Sequence, residues 1–128
     1  MGIPSGKSPK FDIADLDMIF TLPIPYTDTE LEEYILMLFD KCFSEQCKDE
    51  HITSIEKFYK VKGYAKATKN LRLVSLHWLK NAGYFVVPTK NTNKMGFQHI
   101  ENNKILLPTD YLKGTLAKAF KQAMAVAQ

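Results

Sequence analysis

Leu71-Arg-Leu-Val-Ser-Leu-His-Trp-Leu79, then Lys80-Asn-Ala-Gly83, then Tyr84-Phe-Val-Val-Pro88 is the stretch that decides the fold. Two runs rich in Leu, Val and aromatic residues flank a short turn that contains glycine, which predicts a β-hairpin. Downstream, the polar loop Lys90-Asn-Thr-Asn-Lys-Met-Gly96 leads to Phe97–Ile100. Glu101-Asn-Asn103 then separates it from Lys104–Leu107, which Pro108 ends. These segments read as further antiparallel strands around polar turns.

Helical patterns lie on either side. Thr27-Asp-Thr-Glu30 fits a capping box, and Leu31, Tyr34, Ile35, Leu38, Phe39, Cys42 and Phe43 follow at three- and four-residue steps. A last helix is expected from about Thr109 as N-cap, its buried stripe being Leu112, Leu116, Ala119, Phe120, Ala123 and Met124. Ile52, Ile55, Phe58 and Tyr59 suggest a shorter helix that ends near Lys62-Gly63. Leu16–Leu22, closed by Pro23 and Pro25, reads as a strand or an extended segment. Strands grouped between helices give the α+β class. The expectation is a flexible tail over 1–10 and a single domain over 11–128. In it, an antiparallel sheet near 71–107 packs against an N-terminal helix (28–45) and a C-terminal helix (110–126).

A chain of 128 residues with 45% apolar residues is long enough to bury a core without disulfides or metals. No run approaches the roughly 20 apolar residues of a membrane span, and Met1–Lys10 lacks an apolar signal core. A cytoplasmic location with no membrane partner is the expectation. The net charge of +3 conceals a division. Residues 12–50 hold eleven acids and two lysines, whereas residues 51–128 hold three acids and thirteen basic residues. Such asymmetry bears on partners and field, not on fold.

Residues able to carry chemistry are sparse. Cys42 and Cys47 lack the paired spacing of a zinc site and read as reduced thiols, with Cys42 near the core. His51, His77 and His99 are scattered singly, and no Ser sits in a glycine-flanked elbow. Glu30, Glu32, Glu33 and Asp40 read as the solvated face of a helix. Gly63, Gly83, Gly96 and Gly114 form no phosphate-cradling run, and Gly114 inside the last helix would cost about 1 kcal/mol relative to Ala. With no catalytic motif, metal set or cofactor fingerprint, the expectation is a binding protein and not an enzyme. One alternative is a small nucleic-acid-binding module. Lys57, Lys60, Lys62, Lys66, Lys69 and Arg72 interleave with Phe58, Tyr59 and Tyr64, as in surfaces that bind phosphates and stack bases. Against it, the chain has a single arginine, and Phe58 and Tyr59 also fit a stripe facing the core.

The second half also carries a resemblance. Lys60-Val-Lys-Gly-Tyr64, a Lys/Asn-rich connection into Leu71–Trp78, and Gly83-Tyr-Phe-Val-Val-Pro-Thr-Lys90 come first. Met95-Gly-Phe97, Lys104-Ile-Leu-Leu-Pro108 and Leu116-Ala-Lys-Ala-Phe120 follow. This order resembles one group of immunity proteins of bacterial contact-dependent growth inhibition systems, over about residues 52–124. The resemblance implies an antitoxin inside the cell that binds the C-terminal toxin domain, often a nuclease, of a large secreted surface protein. In some members a hairpin of the toxin adds to the sheet of the immunity protein. The departure is charge: many nuclease inhibitors are strongly acidic, whereas this chain is net basic. Mimicry of nucleic acid by the whole surface is therefore not the expectation, and the acidic segment 12–50 is what could meet a basic toxin face.

The residues nominated for partner contact are Lys90, Asn91, Asn93 and Lys94, on a polar loop held between strands, and Tyr64 with Lys66, just before the strand run. Loops held by a rigid sheet concentrate recognition residues, and a Tyr beside a Lys suits an interface rim or anchor.

Overall fold

Thr27 opens the helix that its sequence predicts. A computed structural model describes residues 1–9, 12–47 and 52–128; Lys10 and His51, named above, lie outside them. The Glu30 N–H donates to the Thr27 hydroxyl (3.1 Å), and the Thr27 N–H donates back to the Glu30 carboxylate (3.0 Å). Helix α1 runs Asp28–Lys41 and buries Leu31 and Ile35. Glu32 is buried as well, so the acidic face is not wholly solvated. Phe43 lies past the helix with φ of +60° and stays exposed, because the C-cap at Cys42 has already turned the chain.

The chain is α+β, and it divides into two compact units, Met1–Thr68 and Lys69–Gln128. In the first unit the N-terminal residues are not a loose tail. Strand β1 (Ser5–Lys7) pairs antiparallel with β2 (Ile13–Asp15), and Gly2 bridges Phe20. On its other edge β1 accepts from the N–H groups of Phe43 and Cys47 at Ser5 and Lys7, at 2.8 and 3.0 Å. Pro4 and Leu16 are fully buried, and the Leu16 N–H donates to the Pro4 carbonyl. The reason is accounting of backbone groups: pairing with β2 on one edge and with Phe43 and Cys47 on the other satisfies N–H and C=O groups that burial would otherwise leave without partners. Leu16–Leu22 is extended beyond β2 and is fixed at Phe20, whose carbonyl also accepts from the Tyr34 hydroxyl (2.6 Å). Burial pushes the Tyr34 phenol up to about 12. Both cysteines are free thiols, and Cys47 is the more buried of the two, its Sγ lying 3.4 Å from the Ala14 carbonyl.

A second capping box, Thr53 with Glu56, starts α2 (Ser54–Tyr59), which ends at Lys60 in the left-handed region. Glu56 is buried and accepts from the N–H groups of Thr53 and Gly63 and from the Thr53 hydroxyl. The Gly63 N–H, then the Thr53 donors, hold its carboxyl below the ordinary value. The one-turn helix α3 (Tyr64–Ala67) follows.

In the second unit, β3 (Val74–Leu79) pairs antiparallel with β4 (Gly83–Asn91), from Val74 opposite Pro88 to Leu79 opposite Gly83. Strand β5 (Phe97–His99) pairs with the C-terminal part of β4, and β6 (Ile105–Leu107) with its N-terminal part. A turn of 3-10 helix at Glu101–Asn103 separates those two short strands. The last helix, α4, runs Thr115–Val126 and packs on β4, β3 and β6. It does not begin at Thr109. Gly114 takes the N-cap position with φ of +93°, a conformation that any residue with a Cβ resists. Leu112 therefore lies outside the helix and is 82% exposed, while Leu116, Ala119 and Ala123 are buried as expected. Ala117 is buried too, and the small Ala119 and Ala123, one turn apart, let the helix sit close to the sheet.

Gly83 closes the hairpin turn with φ of +99°, and a Cβ there would overlap the Leu107 carbonyl of β6. Gly96 also has positive φ but faces open space. Gly83→Ala is expected to destabilise the protein by about 2–4 kcal/mol in urea unfolding. Gly96→Ala should cost only the backbone part, about 1–2 kcal/mol. Equal losses at the two positions would show that the contact with β6 does not matter.

Candidate functional site

Among the described residues β3 pairs with β4 alone, so its outer side is an edge of the sheet. Natural edges are blunted by Lys, by Pro, by bulges or by extreme shortness. Strand β3 has six residues, Val-Ser-Leu-His-Trp-Leu, with no Lys, no Pro and no acid. Its far end is apolar and open: Trp78 is 47% and Leu79 56% exposed. Trp78 stands opposite Tyr84, whose ring meets that of Tyr111 edge-on at 5.4 Å. Trp78 thus shares a cross-strand position with an aromatic pair, and about half of it is open to solvent.

Residues that alternate with Trp78 form a polar cluster on the opposite face. The Ser75 hydroxyl lies 2.8 Å from Nε2 of His77. The His77 ring meets the His99 ring edge-on, centroids 5.7 Å apart. His99 Nδ1 is 3.5 Å from one oxygen of Glu101, and Lys104 Nζ is 3.5 Å from the other. Lys104 also sits 5.8 Å over the Phe85 ring, which faces His77 across the ladder. Burial, then the neighbouring His99, holds His77 below its ordinary value, against a smaller opposing pull from Glu101. His77 is therefore neutral near pH 7, and its bond to Ser75 resembles a nucleophile–base pair. A triad would place the carboxylate on the base itself, whereas Glu101 lies on His99. Among the described residues no group of three His, Cys, Asp or Glu side chains is placed to hold a metal ion.

The nominated residues fall in different places. Lys90 and Asn91 do not belong to a loop, because β4 continues through both and pairs them with Gln98 and Phe97. The Asn91 amide is already committed: its Nδ2 donates to the Leu71 carbonyl (3.1 Å) and its Oδ1 accepts from the Asn93 N–H (3.0 Å). Its backbone N–H donates to the Gln128 carbonyl, and the Gln128 N–H donates to that of Thr89. Asn93 takes a left-handed φ of +65° inside a turn that the Thr92 hydroxyl closes on Gly96 and Met95. Lys90, Asn93 and Lys94 are left as exposed groups at this end of the hairpin. Tyr64 and Lys66 lie on α3, in the other unit. Burial, then the charge of Asp15, raises the Tyr64 phenol.

Two features escaped the sequence reading. The open edge of β3 is a property of strand order, for which no local signal exists. His77 and His99 come together only because β4 seats both flanking strands, although their shared face follows from the register. Comparison of the chain with protein-family models, with curated proteins and with solved structures gave no match.

The histidine cluster makes stability depend on pH. A histidine whose folded value lies below the unfolded 6.5 binds fewer protons when folded, so protonation favours unfolding. This contribution leaves stability intact above about pH 6.5 and erodes it as pH falls through the folded value. His77→Gln, which can still bond to Ser75, is expected to shrink the drop in Tm between about pH 7.5 and pH 5.5. An undiminished drop in the variant would place the pH sensitivity elsewhere.

Proposed function

We propose that this chain is an immunity protein that binds and neutralises the C-terminal toxin domain, a nuclease, of a contact-dependent growth inhibition effector. The observation that carries the reading is the unprotected edge of β3 with Trp78 and Leu79 exposed at its end. An edge without Lys or Pro accepts an added strand, in which backbone pairing supplies affinity and flanking side chains supply selectivity. A half-exposed Trp seated on a rigid strand is the residue type that most often anchors an interface. The order of segments that resembles this family corresponds to the link from α2 to α3, then β3, β4, the β4–β5 turn, β6 and α4. No helix among the described residues is long and apolar enough to cross a membrane, which fits a partner met in the cytoplasm.

Charge refines the choice of partner. Residues 69–128 hold nine basic side chains against two acids, Glu101 and Asp110. The strand that adds to β3 is therefore expected to be flanked by acidic residues, and Lys90 with Lys94 to steer the encounter from the rim.

The test is direct binding of the toxin domain encoded beside this chain, with growth protection as the second readout. Trp78→Ala is expected to cost about 2–4 kcal/mol of affinity with the fold intact. The Lys90→Ala, Lys94→Ala pair should slow association and flatten its salt dependence, with a loss of about tenfold or less. Full affinity in Trp78→Ala would remove β3 from the interface. Cells left unprotected despite expression of the folded chain would end the immunity reading.

A further inference from the structure

We propose that the first unit carries a separate surface for single-stranded nucleic acid, built on α2 and the turn after it, with one base entering the cleft beside Phe58. This goes beyond the toxin-binding reading and uses none of its residues.

The surface combines three observations. First, the aromatic residues here are not core: Phe58 is 46% exposed and Tyr59 39%. Their rings meet edge-on at 5.1 Å, which holds each in place for a base to stack. Second, Lys57, Lys60 and Lys62 are exposed around them, while the acid of the same helix, Glu56, is turned inward. Its carboxylate is committed to the Thr53 and Gly63 N–H groups, so no acid of α2 itself offsets Lys60 and Lys62 just past its end. Third, a shallow cleft of about 260 Å³, largely open to solvent, lies beside Phe58 and is lined by Asp17, Met18, Ile19, Ser54 and Lys57.

The chemistry of the cleft fits a base better than a peptide side chain. Phe58, Met18 and Ile19 offer flat or soft apolar walls for a ring face. At the rim, Lys57 holds the Asp17 carboxylate at 3.0 Å, with both groups more than a third exposed. That carboxylate accepts from an exocyclic amino group, which cytosine and adenine have and thymine lacks. The Ser54 hydroxyl, on the same wall, is buried and has no hydrogen-bond partner among the described residues. A phosphate backbone leaving the cleft would pass Lys60 and Lys62.

Fluorescence anisotropy of a labelled oligodeoxycytidine of about twelve nucleotides reads the proposal on the full chain. Expected are binding that weakens with a log–log salt slope of about −1.4, from Lys60 and Lys62, since Lys57 is paired with Asp17, and weaker binding of oligothymidine. Phe58→Ala should weaken binding about 5- to 150-fold, the effect of one stacked base. Lys60→Glu with Lys62→Glu is the companion variant, because it leaves every packed side chain in place, and it should abolish binding. Trp78→Ala should not change it, although that variant loses the toxin. Three results overturn the proposal: no binding of either oligomer, binding indifferent to both variants, or binding lost instead on Lys118→Glu with Lys121→Glu. Loss of toxin affinity in Phe58→Ala with no oligomer bound would make the surface a protein contact and overturn it as well.

Discussion

The second unit depends on β4. Every named strand there pairs with it: β3 on one edge, β5 and β6 along its two halves, while α4 packs against it. Val86, Val87, Pro88 and Thr89 are nearly closed to solvent, which is rare for four consecutive residues unless both faces of a strand are covered. A proline and a threonine in such a place need explanation. Pro88 has no N–H to lose, and its carbonyl accepts from the Ile100 N–H. Thr89 spends its hydroxyl on the Leu73 carbonyl at 2.7 Å and its backbone carbonyl on Gln128. The strand stays buried because these polar groups find partners.

From that constraint the remaining elements follow in order. Gly83 must be glycine for the chain to enter β4 beneath β6. The turn at Thr92–Gly96 must reverse the chain onto β5, and a left-handed Asn93 allows it. Asn91, at the end of β4, gathers Leu71, Asn93 and Gln128 into one hydrogen-bonded knot. A residue that reads as an available amide in sequence is a structural tie in space. What stays exposed at that end of the hairpin is Lys90, Asn93 and Lys94.

What the sequence makes legible is what is locally encoded. The box at Thr27 and Glu30 needs only four residues, and both its hydrogen bonds form. The hairpin over 74–88 needs two apolar runs and a glycine. The start of α4 was misread because Thr109 and Asp110 look like a cap, while the backbone of Gly114 decides the matter through a dihedral angle. The N-terminal strands were misread for the opposite reason. Ser5–Lys7 has no strand propensity of its own and is held by pairing with Ile13–Asp15 and with the chain at Phe43 and Cys47. Of the candidate site, residue types were visible and positions were not. Phe58 and Tyr59 fit a buried stripe on paper and face solvent in the fold, because a helix of six residues has room to bury only Ile55 and Glu56.

Charge and exposed apolar surface together explain why two surfaces of different character coexist in a small chain. Residues 1–68 hold twelve acids and eight basic residues, so a positive surface there has to be made locally. The fold makes one by turning Glu56 inward and leaving Lys57, Lys60 and Lys62 outward. Residues 69–128 hold nine basic side chains against two acids, and there the distinguishing feature is what lacks charge: the β3 edge and its Trp78. A surface is informative where it departs from its surroundings. In the first unit the departure is cationic and aromatic, which favours phosphates and bases; in the second it is neutral and strand-shaped, which favours another backbone.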